Sequence, residues 1–324
     1  MTSDKYLPLV SVVIVTRNRR VDVLECIGSL IASKTSYSNI EITLVDNGSN
    51  DGTIEAVSRK FSDVKTIYSK VNLGLTGGRN LGQKAAKGKY ILFIDSDTAI
   101  DRNMIMELVK VIENDEKIGL VAPKIYSYLE PKIIWYAGAT FNLITSQAYN
   151  VGAWTVDEGQ YNKIIEVSHA PTAFLVRKTA ADELGGHDDV FVMSYGDADF
   201  GIRLRKKGYR VLYVPKAEMY HKMNLKKNVK SLRSLGFNTS LRPYYFARNK
   251  VIFMHRHAVN FPLFMLAFYP LFTLYYSIRI IQYHGCFEYL RPHFAGSLEG
   301  LLYFIRTLTN PRSSSSNSRF RQGE

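Results

Sequence analysis

"YILFIDSDTAI", residues 90 to 100, decides how this chain is read. An apolar run ends in two aspartates, Asp95 and Asp97, with one serine between them. Aspartate is a poor strand residue and is rarely buried without a partner, so something must meet these charges. In an extended stretch, residues i and i+2 point the same way, and both carboxylates are expected to face one ligand. Oxygen ligands suit Mg2+ or Mn2+, and Mg2+ usually takes one or two carboxylates together with substrate phosphates. The pair is therefore expected to hold a metal–diphosphate rather than a metal alone. An Asp-x-Asp by itself is short and common, and a capping aspartate beside a solvated one is the plain alternative.

The surrounding sequence favours the ligand. "LVSVVIVT" (9 to 16) and "IEITLVD" (40 to 46) read as buried strands, "VKTIYS" (64 to 69) as a third and the quoted stretch as a fourth. Helical patterns lie between them: one through Val23, Ile27, Leu30 and Ile31, and another from about Ile54 to Phe61. A Gly-rich turn, "NLGLTGGRN" (72 to 80), opens a short helix that ends at Gly88. Apolar strands alternating with helices predict a parallel sheet covered on both faces, whose ligands sit beyond the C-terminal strand ends. Thr16-Arg17-Asn18, Asp46-Asn47, Asn72 with Arg79, and the Asp95–Asp97 pair follow four successive strands. Polar groups at four strand ends point to one site.

With 46% hydrophobic and 22% charged residues, the composition is that of a folded protein. Cys26 and Cys286 have no CxxC or Cys/His companion, so neither a disulfide framework nor structural zinc is indicated. The start, "MTSDKYLPLVSVVIV", lacks a basic segment before its apolar run and reads as a first core strand rather than a signal peptide. The net charge is +13, and residues 201 to 257 hold fifteen Lys or Arg against one acidic residue, Glu218. Such a stripe calls for an anionic partner. No helix-turn-helix, zinc-finger or RNP-like pattern favours nucleic acid.

Seven motifs, in order and spacing, resemble the family 2 glycosyltransferases, especially their rhamnosyltransferase-like branch. They are "VVIVTRNR" (12 to 19), "VDNGSNDGT" (45 to 53), "NLGLTGGRN" (72 to 80), "FIDSDT" (93 to 98), "AFLVRK" (173 to 178), "LGGHDDVF" (184 to 191) and "YGDADFGIRLRKKGY" (195 to 209). The resemblance runs from about Ser11 to His221. It implies a GT-A fold: a Rossmann-like, mostly parallel α/β sheet with helices on both faces. It also implies roles. Asp46 would bond the nucleotide base, with Thr16 and Arg17 lining the same pocket. Asn72, Gly78 and Arg79 would form the turn against the nucleotide, Arg79 near the diphosphate. Asp95 would reach the ribose or the metal, Asp97 would ligate Mn2+ or Mg2+, and His221 would complete the metal shell or touch the diphosphate. Asp197 would be the general base, while Asp199 is expected to cap the helix carrying Arg203. The departure is Gly196, where the family usually has Glu; it puts acceptor positioning in question. His169 and His187 receive no assignment.

Residues 258 to 278, "AVNFPLFMLAFYPLFTLYYSI", contain no charge. A helix of this length covers about 31 Å, enough for a bilayer core. Pro262, Pro270, seven aromatics and flanking cations suit a segment lying in the interface, with a single-pass span and a buried helical hairpin as the alternatives. "SLEGLLYFIRTL" (297 to 308) reads as an amphipathic helix beside it. The predicted organisation is a nucleotide-sugar-binding half (1 to 125), an acceptor and catalytic half (126 to 257), membrane-associated helices (258 to 310) and a disordered tail (311 to 324). The expected activity is inverting, metal-dependent transfer of a sugar from a nucleoside diphosphate to a lipid-linked or glycan acceptor. It is expected at the cytoplasmic membrane face, against an anionic surface. A nucleotidyltransferase and an inactive sugar-nucleotide binder are the rivals.

Overall fold

The structure is a computed structural model and describes residues 7–222, 241–284 and 287–309. The expectations for the first six residues, Cys286 and the tail lie outside these, as do Lys226, Lys227, Lys230 and Arg233 of the basic stripe. The chain divides into two compact units. Unit 1 comprises Met1–Thr140, Tyr149–His187 and Phe200–Asn224; unit 2 comprises Phe141–Ala148, Asp188–Asp199 and Leu225–Glu324.

Unit 1 is built on β1 (Val10–Thr16), β2 (Ile40–Asp46), β3 (Lys65–Tyr68) and β4 (Tyr90–Asp95), paired in parallel in the order β4-β1-β2-β3. Every residue of β1 is buried, as a continuous apolar run in a parallel sheet requires. Helices α1 (Arg20–Ser33), α2 (Thr53–Lys60) and α3 (Gly74–Ala85) join these strands. Gly78 and Gly82 bring α3 down onto β1. A Cβ on Gly78 would lie 2.6 Å from Val15 Cγ1, and one on Gly82 2.1 Å from Val13 Cγ1. The strands fall where the sequence pattern puts them. The "NLGLTGGRN" stretch does not: α3 begins at Gly74, so Gly78 and Arg79 sit inside a helix rather than in a turn.

Beyond β4 come β5 (Thr98–Ile100), α4 (Met104–Ile112), β6 (Ile118–Ser127) and β7 (Ile134–Tyr136). β8 (Ala139–Asn142) pairs with β9 (Gln147–Asn150) apart from the main sheet. They are followed by β10 (Ile165–Glu166), β11 (Ala173–Arg177), α5 (Lys178–Glu183), α6 (Gly196–Lys206) and β12 (Arg210–His221). The main sheet has ten strands among the described residues. The parallel character holds for β1 to β4. On the far side β11 runs antiparallel to both β4 and β6, so that half is mixed. β5 pairs antiparallel with the end of β12 and sets His221 opposite Thr98.

Unit 2 is largely helical, with α7 (Leu241–His257), α8 (Phe261–Leu263), a π-helical turn (Phe264–Phe268), α9 (Tyr269–His284) and α10 (Phe287–Thr309). Helices α7 and α10 approach at "GSLEG". A Cβ on Gly296 would lie 2.1 Å from Tyr244 O, and one on Gly300 2.9 Å from Arg248 O. Only residues without side chains permit so close a backbone approach. The segment Phe261–Gln282 is, among the described residues, the one helix long and apolar enough to cross a membrane. It is one-sided. Phe264, Tyr269 and Ile280 are buried, while Leu263, Leu266, Leu271, Leu274, Tyr275, Ile278 and Ile281 are exposed.

Many cations of the basic stripe bond within their own unit. Arg203 donates to Leu184 O and Gly186 O, and Lys222 pairs with Asp22 and Glu25. Arg248 donates to Val190 O, and Arg256 pairs with Asp188. The stripe is therefore less available to an anionic partner than its sequence implies.

Candidate active site

The C-terminal ends of β1, β2 and β4 carry the polar groups that the sequence singles out. Register places Thr16 beside Asp46. Both are buried. Asp46 Oδ1 accepts from the Ser49 amide at 2.7 Å, while Asp46 Oδ2 and Thr16 Oγ1 have no hydrogen-bond partner. Asn47 donates to Gly74 O at 2.8 Å, and its Oδ1 is likewise unpaired. Buried polar atoms without partners are rare in native proteins, and three at neighbouring strand ends mark a place for a polar ligand. Arg17 is exposed just beyond β1. The loops after β1 and β2 are laced together: Asn18 N donates to Ser49 Oγ, Asn50 N to Asn18 Oδ1, and Arg20 N to Asp51 Oδ2. Asn72 Oδ1 accepts from the Gly74 amide at 3.0 Å, opening α3.

Asp95 ends β4, and residues 96 and 97 form a turn before β5. The aspartates therefore share a site because the chain turns tightly, not because it stays extended. One ligand atom each of Asp95, Asp97 and His221 lies within 4.8 Å of the others. Arg79, 1% exposed, reaches from α3 to Asp95 Oδ1 at 3.0 Å, and its guanidinium lies over Phe93 and Phe174. A buried cation of this kind fixes the carboxylate it meets. Arg79 thus acts on Asp95.

Asp97 Oδ1 lies 3.3 Å from His221 Nε2, and its Oδ2 is 3.1 Å from Arg19 Nη1. Burial works to raise the Asp97 carboxyl, but the hydrogen bond and charge of His221, with Arg19, outweigh it and hold the group below the usual carboxylate range. Arg19 had no role in the sequence reading, although it stands in the T-R-N-R stretch at a strand end. His221 packs edge-on against Trp135, and its Nδ1 is buried without a partner. Two carboxylates, one imidazole and an orphaned ring nitrogen fit a divalent cation that keeps positions open for phosphate oxygens.

Asp197 lies in unit 2, half-buried in the first turn of α6. Asp199 corrects an expectation. It stands inside the first turn of α6 rather than at the cap position, fully buried, with its Oδ1 2.8 Å from His257 Nε2. His169 is buried in unit 1, with Nδ1 2.8 Å from Ser168 Oγ. His187 stacks on Phe200 with ring centroids 4.3 Å apart; burial, then the charges of Arg79 and Arg203, hold it neutral. Both histidines serve the interior of unit 1.

The sheet, its strand-end site and its acidic turn together define a GT-A fold. The Pyrobaculum calidifontis mannosyltransferase PcManGT, solved with GDP-Man and Mn2+, superposes with a TM-score of 0.56 over 92% of this chain and 88% of its own. At 14% identity that likeness is one of fold. The model of glycosyl transferase family 2 matches residues 11–185, and the chain belongs to that family. The probable glycosyltransferase YdaM of Bacillus subtilis (strain 168) is 26% identical over 220 residues, 66% of this chain and 50% of that protein. The N-acetylglucosaminyl-diphospho-decaprenol L-rhamnosyltransferase of Mycobacterium tuberculosis (strain ATCC 25618 / H37Rv) is 26% identical over 208 residues, 56% of this chain and 66% of its own length. The chain therefore spans half to two thirds of the length of these two relatives.

Proposed function

We propose that this protein is an inverting, metal-dependent glycosyltransferase. It would move a sugar from a nucleoside-diphosphate donor to a hydroxyl of a lipid-linked or glycan acceptor. The observation that carries this reading is the Asp95, Asp97 and His221 cluster beyond the sheet. In this reading the unpaired oxygens of Thr16 and Asp46, with Arg17, meet the nucleoside. Asp95, Asp97 and His221 would hold Mn2+ or Mg2+, which supplies charge neutralisation to the departing diphosphate when bound. Arg79 keeps Asp95 aimed, and the charge of Arg19 favours ionised Asp97. Asp197 takes the proton of the acceptor hydroxyl as its oxygen attacks the anomeric carbon. The bond from that carbon to the diphosphate oxygen breaks, and the nucleoside diphosphate leaves. The rhamnosyltransferase relative, named for a diphospho-decaprenol acceptor, supports a lipid-linked acceptor for this chain too.

A membrane location on the cytoplasmic face belongs to the same proposal. The one-sided exposure of the Phe261–Gln282 segment supports a helix lying in the interface rather than one surrounded by lipid. The test is release of nucleoside diphosphate from UDP-, GDP- and dTDP-sugars with Mn2+ and N-acetylglucosaminyl-diphospho-decaprenol in vesicles. Turnover with one donor, lost in Asp197→Asn while nucleotide binding persists, supports the reading. Binding without turnover for every donor leaves the inactive binder, and pyrophosphate release from a nucleoside triphosphate would indicate the nucleotidyltransferase.

A further inference from the structure

The segment that leads into Asp197 has a backbone that its residues do not favour. Ser194 and Tyr195, neither of them glycine, are both left-handed, with φ of 64° and 65°. Such residues persist only where their surroundings enforce them, and they collect at functional sites. Here the enforcement comes from one face of α7. Phe246, Asn249, Phe253 and His257 recur at helical spacing, and each touches the stretch from Met193 to Asp199.

Asn249 is completely buried, and both its amide nitrogen and its amide oxygen are hydrogen-bonded. Its Nδ2 donates to Met193 O at 2.7 Å and to Ser194 O at 3.3 Å. Its Oδ1 accepts from Arg248 Nη1 at 2.7 Å, and the same Nη1 donates to Val190 O at 2.9 Å. The Tyr195 ring meets Phe253 at 5.2 Å and Phe246 at 5.8 Å between centroids. The Asp199 amide donates to Tyr195 O at 2.8 Å, which starts α6 on the left-handed residue. His257 then holds Asp199 one turn further on. Asp197 lies between these two anchors.

We propose that Asn249 is a positioning residue, which with the Asp199–His257 pair fixes the left-handed turn and so aims Asp197 at the acceptor proton. This rests on the assignment of Asp197 as the base. It also answers the question raised by Gly196: the side chain missing there is offset by a turn held from α7.

Three measurements on the full chain test the proposal: hydrogen exchange of residues 188 to 199, titration with UDP, GDP and dTDP in Mn2+, and the nucleoside diphosphate release described above. Asn249→Asp replaces two donors by an acceptor facing two carbonyls without changing size. It is expected to speed exchange in 188 to 199 about tenfold while leaving β1 to β4 unchanged. It should lower kcat about 100-fold with nucleotide affinity and donor KM kept. In Asn249→Ala, adding Ser194→Gly should recover about tenfold of the lost kcat, since glycine adopts this φ unaided. Wild-type exchange in Asn249→Asp would overturn the proposal, as would exchange and nucleotide affinity failing together across both units. If Asp197→Asn turns over like wild type, the base assignment falls while the exchange data still decide whether Asn249 holds the turn. If Asp197→Asn is inactive and Asn249→Asp is fully active, only the positioning role falls.

Discussion

Two regions, the strand ends of unit 1 and the α7 helix of unit 2, treat buried polarity in opposite ways. At the strand ends of unit 1, Thr16 Oγ1, Asp46 Oδ2, Asn47 Oδ1 and His221 Nδ1 are buried with no partner. On α7 of unit 2, Arg248 and Asn249 bond backbone carbonyls, and His257 bonds Asp199. An unpaired buried atom costs stability that a polar ligand can restore, whereas a paired one shapes the chain around it. The first region has the chemistry of a binding site and the second that of a brace.

Asp97→Ala should break the comparison at its strongest point. Turnover is expected to fall about 1,000-fold or more, with the fold intact by circular dichroism. Next comes Arg79→Met, which leaves Asp95 without the cation that orients it. Mn2+ affinity should drop about 10–100-fold in a metal titration, and an unchanged affinity would mean that Arg79 serves packing alone.

Two glycines sharpen the contrast in stability. Gly82→Ala puts a Cβ 2.1 Å from a valine methyl, and Gly296→Ala puts one 2.1 Å from the Tyr244 carbonyl oxygen. A side chain yields more easily than backbone. Gly82→Ala should cost about 1–3 kcal/mol in denaturant unfolding, and Gly296→Ala more.

A further effect, dependent on pH, concerns Lys250. It is buried against the rings of Phe272, Phe246, Tyr276 and Tyr195, and burial pushes its ammonium down to about 7. Between that value and its ordinary one, the unfolded chain holds a proton that the folded chain has lost. Stability from this site therefore rises with pH from about 7 upward and is lowest below it. Lys250→Met should raise the melting temperature most at pH 6, with the gain shrinking toward pH 10. A pH-independent gain would contradict the buried, depressed ammonium.

Much of unit 1 was legible in the sequence because strand-end chemistry is local. Asp46, Asp95 and Asp97 each end an apolar run, and the runs themselves became β2 and β4. Register between strands did the rest, setting Thr16 beside Asp46. Gly78 and Arg79 were misplaced because glycines suggest a turn, whereas here they allow a helix to press on Val13 and Val15. Asp199 resembled a helix cap by position. Its true partner, His257, stands 58 residues away, and no local pattern pairs them. Asn249 left no trace for the same reason: it acts through carbonyls of a distant segment, in a stretch that otherwise reads only as basic and aromatic.

The most direct test of the donor site is isothermal titration of the whole protein with UDP, GDP and dTDP, with and without Mn2+, on wild type and Asp97→Ala. Tight binding of one nucleotide that requires Mn2+ and weakens in the variant is the expected result. Absence of Mn2+-dependent binding for all three would contradict the metal–diphosphate reading of Asp95, Asp97 and His221, leaving the family's fold without its donor chemistry.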